Sequence, residues 1–264
     1  MTGGAQGATI GRVDTAGFVR DGYVAVRGAF DAATAEGCRE MIWDSLTERG
    51  VRRDDRSTWR PCVQVGCPEG EPFAAAGTSA ALAAAYDELI GPGRWTRQAR
   101  VGGVVPVRFP SEEYPDPGCG YHIEGSYAGP GGWWVNLRSR ARGLLALFLF
   151  TDVGPDDAPT RLMCGSHLTV SRFLGPYGEA GTDADTQLWY PSTLCRPVAH
   201  ATGTAGDVFL CHPFIVHTAT WPHRGTGPRM IAQPAVNAPA GFALDGTDRS
   251  PVARAIIDGL AMTD

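Results

Sequence analysis

The chain contains no lysine. All 23 basic residues are Arg, set against 28 acidic ones for a net charge of −5. No basic run stands out, so neither nucleic acid nor an anionic membrane surface is expected as a partner. Long apolar runs are missing as well: the longest, Gly143 to Phe150, falls far short of the ~20 residues that span a bilayer. The opening residues, MTGGAQGATIGRVD, lack the apolar core of a signal peptide. There is no CxxC pair, and the seven Cys (38, 62, 67, 119, 164, 195 and 211) are an odd number. They read as free thiols in a reducing cytoplasm, not as a disulfide frame. What is present, 43% hydrophobic residues in 264, is enough to bury the core of a single globular domain.

Residues 1–13 are Gly-rich and polar and read as a flexible leader. TAGFVRDG suits a short helix closed by Gly22, and YVAVRG a strand. Asp31 can cap a helix over 32–49, with Ala35, Cys38, Met41, Ile42 and Leu46 at helical spacing. Residues 50–72 read as irregular. An Ala-rich helix is expected over 74–89, stopped by Gly91-Pro92-Gly93. Beyond Gly93 the text changes to short strand-like runs: RVGGVVPVRF, GYHIEGSY, GWWVNLRS, GLLALFLFTDV, PTRLMCG, DVFLCHPFIVHTA and RMIAQPAV. Such a series implies an antiparallel barrel or double-sheet roll with the helices packed outside. The segment 168–200 reads as a long insertion with Phe173, Tyr177, Trp189 and Tyr190, of the length that forms lids.

The polar residues that carry chemistry lie in two of these runs. In Gly120-Tyr121-His122-Ile123-Glu124-Gly125, His122 and Glu124 are two apart and share one face of a strand. The run Gly206 to Thr218 holds His212 and His217, five apart and therefore on opposite faces. If 221–227 is a connecting loop, residues 217 and 229 are cross-strand partners on one face. His217 and Arg229 would then share the interior, leaving His212 a structural role. Two His and one carboxylate on one side of Fe(II) leave three positions open. A 2-oxo acid can take two of them, with one left for dioxygen. A second carboxylate on that acid, as in 2-oxoglutarate, would need a planar Arg to hold it.

Taken together these motifs resemble the phytanoyl-CoA dioxygenase (PhyH-like) group of Fe(II)/2-oxoglutarate oxygenases. The similarity runs over about residues 15 to 236. It starts at Phe18-Val19-Arg20-Asp21-Gly22-Tyr23, continues through His122-Ile123-Glu124 and the Gly165-Ser166-His167 turn, and closes with Gly206-Asp207-Val208, His212-Pro213, His217 and Arg229. The resemblance implies a mainly β double-stranded β-helix, a cupin-like jelly roll with flanking α-helices, over the whole chain as one domain. It implies that His122, Glu124 and His217 ligate iron and that Arg229 binds the distal carboxylate of 2-oxoglutarate. The implied activity is oxidation, by default hydroxylation, of a small organic molecule, with succinate and carbon dioxide as co-products. The family usually has Asp where this chain has Glu124. A retained carboxylate argues against halogenation and leaves hydroxylation, desaturation, cyclisation or epimerisation open. A metal-binding jelly roll without turnover is the alternative from another class.

Other polar residues are assigned plainer roles. Arg108 reads as a surface ion-pair residue or as a contact to an anionic substrate. Trp134 and Asn136, at alternate positions after the metal strand, are expected to face the pocket, with core packing an equal explanation for Trp133 and Trp134. His167 is expected to order a turn, and His200 and His223 to be solvated. Cys211 has the parity to lie near the iron, and Asp207 reads as a turn residue.

Overall fold

The computed structural model describes residues 12–113, 120–184 and 191–263. Most of the expected leader, Trp189 and Tyr190 lie outside the described residues. Helix α1 (Thr15–Asp21) starts where the Asp14 carboxylate accepts from the Gly17 N–H, and it ends at Gly22, whose left-handed φ of 87° lets its N–H reach Phe18 O. Strand β1 (Tyr23–Val26) follows, then α2 (Ala32–Thr47), capped by Asp31 as its sequence implies. The stretch read as irregular contains a strand, β2 (Cys62–Gly66), which pairs with β3 (Val104–Arg108). The Ala-rich helix is two helices, α3 (Glu71–Gly77) and α4 (Ala80–Leu89), because the Ser79 side chain caps a new start.

The remaining strands are β4 (Ser126–Gly129), β5 (Gly132–Val135), β6 (Arg142–Leu149), β7 (Thr160–Met163), β8 (Thr182–Asp183), β9 (Val198–His200), β10 (Val208–Cys211), β11 (His217–Ala219), β12 (Ile231–Ala232) and β13 (Ala235–Asn237). The run read as one strand over 207–219 breaks at His212-Pro213 and sends its two halves to different sheets. One sheet has the order β1-β10-β6-β12, with β13 also on β6; another is β11-β7-β9; a third is β4-β5-β8. All the pairings among the described strands are antiparallel. The segment 168–200, expected as a long loop, carries most of α5 (Ser166–Leu174) and both β8 and β9. A final helix, α6 (Pro251–Leu260), packs on α5, an element the sequence reading did not anticipate.

Strand β6 shows why the roll holds together. Its successive side chains point to opposite faces. Leu144, Ala146 and Phe148 enter the cluster shared with Ile42, Leu46, Phe73 and Leu82 of the helices. Leu145, Leu147 and Leu149 enter a second cluster with Leu162, Phe209, Ile215 and Ile231, between the sheets. Each such side chain stabilises the fold by roughly 1.5–3 kcal/mol, so a strand buried on both faces must be apolar almost throughout. Among the described residues no helix is long and apolar enough to cross a membrane.

Candidate metal centre

His122 and His217 face each other across a single antiparallel bridge. Each backbone N–H donates to the other's carbonyl at 3.0 Å. The neighbouring Gly125 is required for this approach. A Cβ there would lie 2.7 Å from the Phe214 ring, and the Gly125 N–H donates to Pro213 O at 2.9 Å. The segment 122–125, expected as a strand, is an isolated bridge followed by irregular backbone. These contacts seat it on the 213–217 segment, and Glu124 comes with it.

The two imidazoles are oriented alike. His122 Nδ1 lies 2.9 Å from Gly120 O, and His217 Nδ1 lies 3.1 Å from Ile215 O. A carbonyl can only accept, so each Nδ1 carries the proton and each Nε2 is left as a lone-pair donor. Both Nε2 atoms converge on Glu124 Oε1, at 3.7 Å for His122 and 3.8 Å for His217. These three are the His/Cys/Asp/Glu group that the described residues bring within reach of one ion. The other carboxylate oxygen, Oε2, accepts from Arg142 Nη1 at 3.1 Å.

The protonation states suit metal binding. Burial would raise the Glu124 carboxyl, but its contacts with His122, His217 and Arg142 hold it at about 2. Burial, reinforced by repulsion from His122, pushes His217 down to about 4, so it is neutral at pH 7. Burial is the largest influence on His122 and opposes its charge, but the Glu124 hydrogen bond, the Gly120 carbonyl and the Glu124 charge together outweigh it and raise that pKa. With the proton of each ring placed on Nδ1, the donor set offered to a cation is two imidazole nitrogens and one anionic oxygen on one side. That composition fits a non-heme Fe(II) facial triad with open positions. A closed structural zinc site takes a fourth protein ligand.

Arg229 lies elsewhere than the hairpin argument put it. His217 pairs with Leu162 of β7, whereas Arg229 pairs with Arg108 in an isolated bridge beside β12. The two are therefore not cross-strand partners, because Trp221–Gly227 crosses between sheets instead of turning within one. Arg229 is fully buried, and its Nη1 donates to Ala158 O at 2.6 Å. Arg108 is buried too, not a surface residue, with its guanidinium 5.2 Å from the centre of the Trp221 ring.

Several smaller assignments change. His223 is buried, not solvated; its Nδ1 accepts from Gly225 N at 3.2 Å and its backbone pairs with Ser111. Cys211 pairs with Tyr23 and Leu145 and fills the apolar interior. His200 is exposed. Trp134 covers its own hairpin turn, with Nε1 donating to Pro130 O at 2.9 Å, and Trp133 is exposed. Asn136 Nδ2 donates to Glu179 O at 3.2 Å, tying β5 to the segment after α5. His167 and His212 form a buried pair with ring centres 4.9 Å apart, and His167 Nε2 meets Val19 O at 3.0 Å. Asp207 orders a turn, accepting from Gly28 N, Thr204 N and Arg27 Nη1 at 2.9, 3.1 and 2.7 Å. The sequence reading missed Arg142. Its one signal was a cation opening a strand, Arg142–Leu149, that is otherwise entirely apolar.

No protein-family profile matches the sequence, and no curated protein matches it. Solved structures do. The chain is similar to the non-heme alpha ketoglutarate dependent carbocyclase SnoK from nogalamycin biosynthesis, at TM-score 0.61 and 15% identity over 84% of this chain and 82% of that one. It is also similar to the epimerase SnoN in complex with Fe3+, alpha ketoglutarate and nogalamycin RO, at TM-score 0.53 and 19% identity over 90% and 91%. A third is AviO1 from Streptomyces viridochromogenes Tue57, at TM-score 0.52 and 18% identity over 87% and 95%. The fold is that of the 2-oxoglutarate-dependent jelly rolls. At these identities the likeness extends to the fold, and the site's chemistry rests on this chain's own residues.

Proposed function

We propose that the chain is an Fe(II)/2-oxoglutarate-dependent oxygenase of the PhyH-like kind, acting in the cytoplasm on a small organic metabolite. The observation that carries the reading is the convergence of His122 Nε2, His217 Nε2 and Glu124 Oε1 in a fold of this type. His122, Glu124 and His217 would hold the iron. With 2-oxoglutarate and dioxygen bound, the metal would supply oxidation of a substrate C–H bond, coupled to decarboxylation of the co-substrate to succinate and carbon dioxide. The protein's part is orientation. The two Nδ1–H groups fix the imidazole tautomers, and the depressed carboxyl pKa keeps Glu124 anionic. Arg229, buried and permanently charged, is assigned to the distal carboxylate of 2-oxoglutarate.

Hydroxylation is the default outcome. Ring closure and epimerisation are the second reading, supported by the names carried by the similar structures SnoK and SnoN. The substrate class in either case is a free secondary metabolite, since the similar structure SnoN is described with nogalamycin RO.

The test is anaerobic titration with Fe(II), with and without 2-oxoglutarate, beside Glu124→Ala and Arg229→Ala. A visible charge-transfer band in wild type that weakens in both variants supports the cofactor pair. Metal binding without such a band would sink the chelating co-substrate and favour a metal-binding module without turnover.

A further inference from the structure

We propose that Arg142 is a positioning residue that holds the outer oxygen of Glu124, so that the glutamate meets the metal through one oxygen only. The inference rests on the metal-site reading above and concerns how this chain accommodates a glutamate arm.

The longer arm raises a specific difficulty. A carboxylate can ligate through one oxygen or chelate through both. Glu has the reach and the freedom to turn either oxygen inward, and chelation would occupy a position that a bidentate co-substrate or dioxygen requires. The geometry resolves this by dividing the two oxygens. Oε1 faces both His Nε2 atoms at 3.7 and 3.8 Å, while Oε2 is turned away and bound to Arg142 Nη1 at 3.1 Å. A charge-assisted hydrogen bond of this kind fixes the carboxylate plane.

The backbone around Arg142 is shaped for that placement. Ser139 and Ala141, in the turn just before it, have φ of 46° and 69°, a region that residues with a Cβ seldom adopt. Such strain persists where the surroundings enforce it, and it concentrates at functional sites. Here the buried Ser139 hydroxyl donates to Arg142 O at 2.5 Å, and the Ala238 N–H donates to Ala141 O at 2.7 Å. Across the ladder the β6–β13 register shifts between Val236 and Asn237, where Asn237 opposes Arg142. A register irregularity of this sort re-aims a side chain. Strained turn, bulge and ion pair all act at one residue. Arg142 also stands at the only charged position of β6, at the end next to Glu124.

The experiment uses Mn(II) in place of Fe(II), so that no turnover is needed. The number of metal-bound waters is read by electron paramagnetic resonance in 17O-enriched water, and 2-oxoglutarate affinity is read by calorimetry on the Mn(II) protein. Arg142→Met should still bind Mn(II), lose about one metal-bound water as Oε2 turns inward, and bind 2-oxoglutarate at least about tenfold more weakly. Arg142→Lys should restore most of both. In a Glu124→Asp background the shorter arm no longer spans from metal to Arg142, so adding Arg142→Met should change little, a non-additive cycle. Arg142→Gln gives the same readings should Arg142→Met fail to fold. Wild-type water number and co-substrate affinity in both Arg142→Met and Arg142→Gln would overturn the proposal. Failure of the wild-type protein itself to bind Mn(II) would instead overturn the metal-site reading and this inference with it.

Discussion

Arg108 and Arg229 exchange both backbone hydrogen bonds, at 3.0 and 2.8 Å, and so stand directly opposite one another with their side chains on the same face. Both are buried. Two like charges in that arrangement oppose each other, and a bound anion relieves the repulsion. Arg229→Met is therefore expected to weaken 2-oxoglutarate binding by about 10- to 100-fold, the loss of a charge-assisted pair worth roughly 1.5–3 kcal/mol. Arg108→Met should weaken it less, and Mn(II) binding without co-substrate should be unchanged in both. Calorimetry on the Mn(II) protein checks each value. Unaltered affinity in Arg229→Met would remove this residue from the co-substrate site.

Asp207 is a structural acid. Its two oxygens close the turn before β10 and tie it to Gly28 and Arg27. Asp207→Ala removes the acceptor of two partly solvated backbone N–H groups and is expected to cost roughly 1–2 kcal/mol of stability. Mn(II) affinity of the folded protein should stay as in wild type. Urea denaturation and metal titration on the same sample separate the two effects.

The buried pair His167 and His212 predicts acid sensitivity. Burial, with repulsion from Arg196, pushes His167 down to about 4, and burial with repulsion from His167 lowers His212. A depressed imidazole is protonated in the unfolded chain before the folded one. Stability is therefore complete above pH 6.5 and falls as the pH drops from 6.5 towards 4. For His167 the gap corresponds to roughly 3 kcal/mol. Urea midpoints at pH 7.5, 6 and 5 should decline more steeply in wild type than in His167→Asn/His212→Asn. The slope should not vanish in that variant, because His217 and His223 are depressed as well. Equal slopes would show that the pair is not responsible.

Gly22 ends α1 in the left-handed region, and a Cβ there would sit 2.5 Å from His167 Nδ1. Gly22→Ala should cost about 2 kcal/mol or more, from backbone conformation plus that contact. Gly28, with φ of 57° and nothing within 4 Å of an added Cβ, provides the comparison. Gly28→Ala should cost about 1 kcal/mol. Thermal unfolding of both variants measures the difference, and equal losses would mean the His167 contact is not felt.

Local signals carried much of the architecture. Asp31 before an amphipathic run and Gly22 after a short one act through near neighbours, and α2 and α1 stand where those residues put them. The strand-like runs beyond Gly93 gave most strands, but 207–219 divides between two sheets. Strand β2 escaped notice because only Val63 and Val65 alternate inward, between Arg- and Pro-rich flanks. Helix α6, though not anticipated, was legible in its local signals. Gly259 must be small because a Cβ would meet Leu168 O at 2.6 Å, while the Ser250 cap, Pro251 in the first turn and the apolar face of Val252, Ala255 and Ile256 are ordinary helix signals. His122 and Glu124 do converge as their spacing of two suggests, although residues 120–125 form an isolated bridge at His122 and not the expected strand, which begins only at Ser126. The partner of His217 does not follow from spacing, since cross-strand logic needs to know which strands are adjacent. That same missing knowledge concealed Arg142, which reaches Glu124 from 18 residues away across a hairpin.

The bridge between His122 and His217 divides the labour among the three ligands. Both nitrogen donors are mounted on residues whose main chains hold one another, so their separation is a property of the sheet. The Gly125–Pro213 bond holds the main chain beside Glu124 as well, but the plane of its longer arm is set by a side chain on another strand. A larger or smaller ion, or an exchange of Glu for Asp, would be absorbed by that arm while the imidazoles stay put. The centre resembles a vice with one fixed jaw and one movable jaw, and the screw that sets the movable jaw is a single arginine.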